Sequence, residues 1–267
     1  MMMPRLSLLL LSLLSCSAYA ADEAALTSGR ASELAATTKQ AEIGIGVVGG
    51  TSIFGGDAKG AILNGEASFG NGIFVSTQDG LGFRFPATSS GFSAAISIGA
   101  SGGRRAPNSD ERLDSRLHGM GDVSSYAQLR GFLNYDNGPY HAEAQLRQTL
   151  AGRNETSIGL GAKYDIFASS TDLVQAATSV GFANRKEMQT YFGVTAAQSA
   201  SSGNAVYAPG AGLEGVSAGV NWRHVLAKDW VATVGAGATV LGNQAADSSL
   251  VARRTSLGVG TSIAYRF

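Results

Sequence analysis

A short run in the middle of the chain places polar residues at every second position, a spacing that could carry acid–base chemistry. In a strand, His141 and Glu143 point to the same face, as a catalytic base and the carboxylate that orients it would. Gln145 and Arg147 continue the row, and no nucleophile motif accompanies it. A water-filled interior also requires polar side chains. We therefore interpret the row as the lining of an interior and expect no enzymatic activity.

The remaining candidates for bound groups fail on context. His118 and His224 have no histidine, cysteine or carboxylate partners at metal-ligand spacing. The stretch Gly44-Ile45-Gly46 looks like part of a phosphate loop, but it lies in an alternating segment with no helix after it. No metal or other cofactor is expected.

The composition excludes some partners and favours another. Lys and Arg number 20, as do Asp and Glu, so the formal net charge is zero and nothing attracts nucleic acid. Charged residues make up only 15% of the 267, and 36 residues are glycine, about twice the usual share. A surface so poor in charge indicates contact with lipid.

The first part of the chain predicts export. Arg5, the apolar run 6–14 and the small residues around the 18–20 segment are typical of a cleaved signal peptide spanning 1–20. An alternative is a lipoprotein signal, in which Cys16 is acylated. Residues 21–40 lack alternation and are predicted to form a flexible periplasmic segment.

From residue 41 to 267 the hydrophobic pattern has a period of two. In the last segment Phe267, Tyr265 and Ile263 share an apolar face, while Ala264 and Gly260 share a small or polar one. Aromatic residues recur at the segment ends, which is typical of the rings at the two interfaces of an outer-membrane barrel. In lipid only a closed sheet satisfies every backbone group. The predicted fold is all-β, a closed antiparallel transmembrane β-barrel of about twelve strands, with a range of ten to fourteen.

The twelve predicted strands carry boundary errors of about two to four residues. The stretch 61–76 could instead form a hairpin, because it contains Gly70-Asn71-Gly72. The predicted strands are 41–49, 61–76, 80–86, 91–100, 123–135, 139–150, 156–166, 171–182, 187–197, 212–224, 229–240 and 254–267.

Counting back from the C-terminus assigns each loop to one side of the membrane. Segments 198–211 and 241–253 are predicted outside the cell, and the links 183–186 and 225–228 inside. The count puts the highly charged segment 101–122 on the periplasmic side, where it could dock a partner or remain a solvated loop. Its docking candidates are Arg104, Arg105, Asp110, Glu111, Arg112, Asp114 and Arg116.

Two further sets of residues follow from the face assignment. The C-terminal face of Ile263, Tyr265 and Phe267 looks like the signal by which the barrel-assembly machinery recognises its clients. The predicted lumen-lining residues are His141, Glu143, Arg147, Lys163, Arg223 and Arg266.

Several short motifs lie along the chain: Gly103-Arg104, Gly119-Met120-Gly121-Asp122, Tyr191-Phe192-Gly193-Val194, Ala245-Ala246-Asp247-Ser248 and the terminal Tyr265-Arg266-Phe267. Together they resemble the MipA/OmpV family of outer-membrane proteins. The resemblance implies a small barrel in the outer membrane of a Gram-negative bacterium. One family member is regarded as a scaffold that links a murein lytic transglycosylase to a peptidoglycan synthase, and others are described as surface antigens or adhesins.

The leading functional hypothesis is therefore a non-enzymatic scaffold for peptidoglycan-remodelling machinery. The alternatives are a small-solute channel and a surface adhesin. A lumen crowded with charged side chains favours the scaffold over the channel, because it should pass little current. The expected partners are outer-membrane lipid, the barrel-assembly machinery, the lytic transglycosylase and the peptidoglycan synthase.

Overall fold

The computed structural model describes residues 40–104, 115–150 and 152–267, and the sheet in it is a closed barrel. Each strand pairs antiparallel with its sequence neighbours, and the first strand pairs with the last. This confirms the predicted fold. The strands are β1 Gln40–Thr51, β2 Asp57–Ser68, β3 Ile73–Ser76, β4 Gly80–Arg84, β5 Phe92–Ala100, β6 Ala127–Asn137, β7 Tyr140–Thr149, β8 Thr156–Ala168, β9 Asp172–Ala183, β10 Gly212–Ala227, β11 Trp230–Leu241 and β12 Thr255–Arg266.

The seam between β1 and β12 shows how the alternating pattern separates the two faces. Ile45 pairs with Ile263, and these side chains are 65% and 40% exposed on the outer surface of the wall. The next position along, Gly44, faces inward opposite Ala264. A Cβ at Gly44 would lie 2.7 Å from the Cβ of Ala264, so the closing pair of strands requires glycine there.

Two segments differ from the predicted strands. The predicted strand 61–76 is a hairpin of β2 and β3, turned at Gly72, whose φ is +88°. The predicted strand 187–197 is wrong, because this region is helical. The helices of the described residues are α1 Arg185–Phe192, α2 Ala196–Ser202 and α3 Asn243–Ala246, and a 3₁₀ turn lies at Ser115–Leu117.

Local capping explains why the region after β9 is helical. The Asn184 side chain accepts a hydrogen bond from the Glu187 N–H at 2.9 Å and begins α1. Thr195 and Gln198 form a capping box that begins α2. None of the helices within the described residues is long and apolar enough to cross a membrane.

The two ends of the barrel differ in loop length. We call the end with Gln40 and Phe267 the inner end, and the opposite end the outer end. The inner end carries the turns 69–72, 85–91, 138–139, 169–171 and 228–229. The outer end carries 52–56, 77–79, 101–126, 150–155, 184–211 and 242–254.

This arrangement corrects two loop assignments. Segment 183–186 is not an inner link, because it begins the long outer connection between β9 and β10. The connection from β5 to β6, which contains segment 101–122, leaves and rejoins the barrel at the outer end, so the prediction that puts this segment on the side of Phe267 is wrong. The prediction assigned sides by counting strands back from the C-terminus, and α1 replaces one of the counted strands. Every loop between the β2–β3 hairpin and α1 therefore lies on the side opposite to the predicted one. The β2–β3 hairpin adds a strand, so the loop before β2 is again on its predicted side.

The aromatic residues predicted to mark both interfaces form one belt rather than two. The strand pairing shows that all of these rings lie on the lipid-facing side of the wall, near the inner end. Neighbouring rings pack with centroids about 5 Å apart, in the arrangement expected of aromatic pairs. The residues are Phe92, Tyr135, Tyr140, Tyr164, Trp222, Trp230, Tyr265 and Phe267.

The apolar core lies at the outer end rather than in the barrel interior. We call the packed outer loops 52–56, 115–126, 184–211 and 242–254, together with Arg104, the cap. One core cluster joins Met188 and Phe192 of α1 to Leu241 at the end of β11. A second cluster contains Leu117, Met120, Val194 and Leu250. The outer loops therefore contribute two buried apolar clusters at the outer end.

Candidate functional site

The inward faces of the strands place the predicted lumen residues together. His141, Glu143, Arg147, Lys163, Arg223 and Arg266 all occupy inward rows of the pairing register. Most of the ionic contacts of this set lie in the half of the lumen near the inner end.

His141 lies between two carboxylates. Its Nδ1 is hydrogen-bonded to Asp136 Oδ1 at 2.7 Å, and its Nε2 lies 3.3 Å from Asp165 Oδ1 without hydrogen-bond geometry. Lys163 Nζ lies 3.9 Å from Glu143 Oε2, so the lysine rather than the histidine neighbours this carboxylate. The base and orienter pair suggested by the spacing of His141 and Glu143 is therefore not assembled.

Glu42 holds two arginines on the opposite side of the lumen. Its Oε2 lies 3.5 Å from Arg223 Nη2 and 3.5 Å from Arg266 Nε. Nearby, Glu66 Oε1 accepts a 2.7 Å bond from Arg84 Nη2. These side chains keep 16% to 39% of their surface exposed, so the lumen is wet. Such pairs fix one another in place and cancel most of the local charge.

Sequence reasoning missed several residues of this set. Glu42, Glu66, Arg84, Asp136 and Asp165 face inward beside the predicted residues. Their signal was present, because Glu42 continues the row of Gly44 and Asp165 that of Lys163. Within the described residues, no group of three or more His, Cys, Asp or Glu side chains is arranged to hold a metal ion.

The docking candidates divide between the cap and the part of the chain outside the described residues. Arg105, Asp110, Glu111, Arg112 and Asp114 lie outside the described residues. Arg104 and Arg116 belong to the cap, where their guanidinium groups bond backbone carbonyls. Arg104 Nη1 donates to the Tyr191 carbonyl at 2.7 Å, and Arg116 Nη1 donates to the carbonyls of Ser249 and Val251.

Tyr191 is the polar centre of the cap. Its hydroxyl donates to the Gly102 carbonyl at 2.7 Å, and only 8% of the residue is exposed. Burial raises the pKa of this hydroxyl to about 12, and the carboxylates of Glu155 and Glu187 add to the rise. Tyr191 therefore stays protonated and keeps its hydrogen bond throughout the neutral range.

The C-terminal residues are displayed on the lipid face. Ile263 is 40% exposed and Phe267 is 74% exposed. The rings of Tyr265 and Phe267 meet edge to face with centroids 5.0 Å apart, and the Phe267 N–H donates to the Ala41 carbonyl at 2.8 Å.

The family model described as MltA-interacting protein MipA matches residues 43–267, which is most of the sequence and nearly all of the barrel. The chain belongs to the MipA family. A closed barrel with an apolar outer face and the family membership place it in the outer membrane of a Gram-negative bacterium. No curated protein matches the sequence at a significant level.

Solved structures with a similar outline are outer-membrane porins and channels. A KdgM porin shares 10% identity with a TM-score of 0.39, covering 85% of this chain and 99% of that one. An outer membrane channel from Pseudomonas putida F1 shares 10% identity with a TM-score of 0.44, covering 86% and 96%. OmpT of Vibrio cholerae shares 8% identity with a TM-score of 0.36, covering 86% and 97%.

Proposed function

We propose that this MipA family protein is a non-enzymatic docking protein for peptidoglycan-remodelling enzymes, held in the outer membrane by its barrel. The name of the family states an interaction with MltA, and the proposal extends that interaction to this chain. The expected partners are a murein lytic transglycosylase and, through it, a peptidoglycan synthase.

The observation that carries the proposal is the apolar cap across the outer mouth. Phe192, Met188 and Leu241 are each 1% exposed and pack together at the top of the lumen. This dry cluster at the outer ends of the strands is an obstacle to a polar solute. The cap supports a docking role over the rival role of a small-solute channel.

The orientation of the barrel decides where such a partner would bind. Bacterial barrels place short turns on the periplasmic side and long loops outside the cell. By this rule the inner end, with its short turns and both described termini, faces the periplasm. Peptidoglycan enzymes work in the periplasm, so the proposed docking surface is the inner end and not segment 101–122.

Site-specific crosslinking in intact cells tests the docking proposal. A photoreactive residue at Ser170 or Lys228, both exposed in inner turns, should capture a peptidoglycan enzyme. The matched control is Ala205, which is exposed in the outer connection between β9 and β10. Capture from Ala205 but not from the inner turns would contradict the proposal.

Conductance in planar bilayers separates the docking protein from the channel. If the cap closes the outer mouth, as we propose, the wild-type barrel should pass almost no current. A steady open-channel current through the unmodified protein would favour the rival. A surface adhesin would instead use the outer loops as its contact surface, and loss of cell binding on outer-loop substitution would favour that second rival.

A further inference from the structure

A pocket lies at the outer end of the barrel. Its volume is about 360 Å³, and it lies between the β7–β8 turn and helix α1. Three of its lining residues are cations and one is an anion. The lining residues are Arg153, Glu155, Arg185, Lys186, Gln189 and Thr190.

The pocket floor is a buried carboxylate that is already neutralised. Glu155 is 3% exposed, and its Oε1 lies 2.7 Å from Arg153 Nη2 and accepts a 2.6 Å bond from the Thr190 hydroxyl. Arg153 is also fixed from behind, because its Nη1 donates to the Ser124 carbonyl at 3.0 Å and its guanidinium lies 4.7 Å from the centroid of the Tyr126 ring. The floor is therefore rigid before any ligand arrives.

A second set of contacts fixes the two walls of the pocket relative to each other. Asn184 caps α1 with its side-chain oxygen and donates from Nδ2 to the Asn154 carbonyl at 2.8 Å. Asn154 has a φ of +51°, a left-handed conformation that Asn tolerates better than most residues. The bond ties the start of α1 to the β7–β8 turn.

The pocket retains uncompensated positive charge. Arg185 and Lys186 are exposed on the open side of α1, and neither forms an ion pair within the described residues. Since the Arg153–Glu155 pair cancels internally, the charge left at the opening is that of Arg185 and Lys186. Two adjacent cations above a neutral floor favour a doubly charged anion such as a phosphate monoester.

The surroundings of the pocket indicate where this phosphate comes from. Phe182 precedes Arg185 by three residues and pairs across β8–β9 with Ile158. These two side chains are 43% and 46% exposed on the lipid face, immediately toward the membrane from the cations. A ligand that reaches both features has phosphate in its head group and acyl chains below it.

We propose that this pocket binds the phosphate of a glycolipid in the outer leaflet of the membrane. Arg185 and Lys186 contact the phosphate oxygens, Gln189 lies beside them as a neutral hydrogen-bonding group, and Ile158 with Phe182 contacts the acyl chains. The inference is independent of the docking proposal, because it concerns the outer end and a lipid rather than the inner end and a protein.

Direct binding to the full-length, membrane-extracted protein in detergent tests the inference. The probe is fluorescent lipid A carrying its phosphates, and the comparison ligands are the same lipid without phosphate and inorganic phosphate alone. We expect the double variant R185Q/K186Q to bind lipid A at least about tenfold more weakly than the wild type. The dephosphorylated lipid should bind the wild type and this variant equally weakly.

A charge-matched control separates a built site from general attraction. The double variant K59Q/R253Q also removes two exposed cations from the outer end, outside the pocket, and should bind lipid A as the wild type does. Equal losses in both double variants, or none in R185Q/K186Q, would overturn the proposal. If inorganic phosphate displaces the fluorescent lipid A at millimolar concentration, and the protein binds lipid A no more tightly than phosphate alone, the ligand is not a lipid. A heat-resistant, compact band on a gel confirms that each variant is folded.

Discussion

The guanidinium group of Arg104 donates a 2.7 Å hydrogen bond to the backbone carbonyl of Tyr191, across 87 positions of sequence. Arg104 is 7% exposed, and its guanidinium also lies 5.5 Å from the centroid of the Phe54 ring. One side chain thus joins three outer loops. A buried charge in such a position holds the cap in one arrangement only while its partners are present.

Replacing Arg104 with Met should loosen the cap and leave the hydrogen-bonded sheet of the barrel intact. The substitution leaves the Tyr191 carbonyl without its charged donor, at a cost of about 2 kcal/mol. We expect faster proteolysis of the outer loops in detergent and brief openings in planar bilayers. Arg253→Met is the control, because the guanidinium group of this exposed arginine of the same cap bonds only the Gly56 carbonyl among the described residues. Equal protease resistance in Arg104→Met and the wild type would contradict the prediction.

The strands could be predicted because each one repeats a physical requirement. Every second side chain meets lipid, so apolar residues recur with a period of two from Ile43 to Phe267. The region after β9 escaped this reasoning. Its apolar residues Met188 and Phe192 are spaced for a helix, and the capping signals at Asn184 and Thr195 were the available evidence.

The face assignment predicts opposite results for two neighbouring residues of β8. Leu160 is 46% exposed on the outer face, whereas Gly159 faces the lumen with its nearest neighbour atom 4.0 Å from an added Cβ. Leu160→Arg places a charge toward lipid and should cost about 2 to 4 kcal/mol. Gly159→Arg should cost much less, because its side chain reaches water. The free energy of unfolding of both variants is measured in lipid vesicles with urea. Equal losses of stability would contradict the assignment of the lipid and lumen faces.

Phe267 should matter for assembly more than for the stability of the finished barrel. The ring is 74% exposed, so Phe267→Ser removes little packing. If the C-terminal face is read by the assembly machinery, the variant should accumulate as unfolded protein in cells yet refold normally from urea into detergent. Phe92→Ser is the matched control, because Phe92 is an exposed ring of the same belt at the start of β5. Equal accumulation of both variants would show that the effect is general to the belt.

The lumen was easier to predict than the cap for a related reason. Inward rows such as His141 and Glu143 follow directly from strand periodicity, so their shared face needs no knowledge of distant loops. The ionic partners of these residues depend on which strands are neighbours. Asp136 and Asp165 could therefore be identified as partners of His141 only once the strand register was known. Cap contacts such as Arg104 with Tyr191 join distant loops and have no periodic signal.

The raised pKa of Tyr191 predicts that the cap loosens at alkaline pH. The pKa is about 12 in the folded cap against the ordinary value of 10.0, so below pH 10 both states are protonated and its contribution to stability is complete. Between pH 10 and about 12 the exposed, unfolded form ionises while the folded form does not, and the stability of the cap therefore falls as pH rises. The full loss is up to about 3 kcal/mol. Tyr191→Phe should be weaker at neutral pH, because it lacks the bond to Gly102, but should lose less protease resistance across this window. The prediction would be wrong if protease resistance depended on pH identically in Tyr191→Phe and the wild type, and if the wild type showed no tyrosinate absorbance that appears only near pH 12.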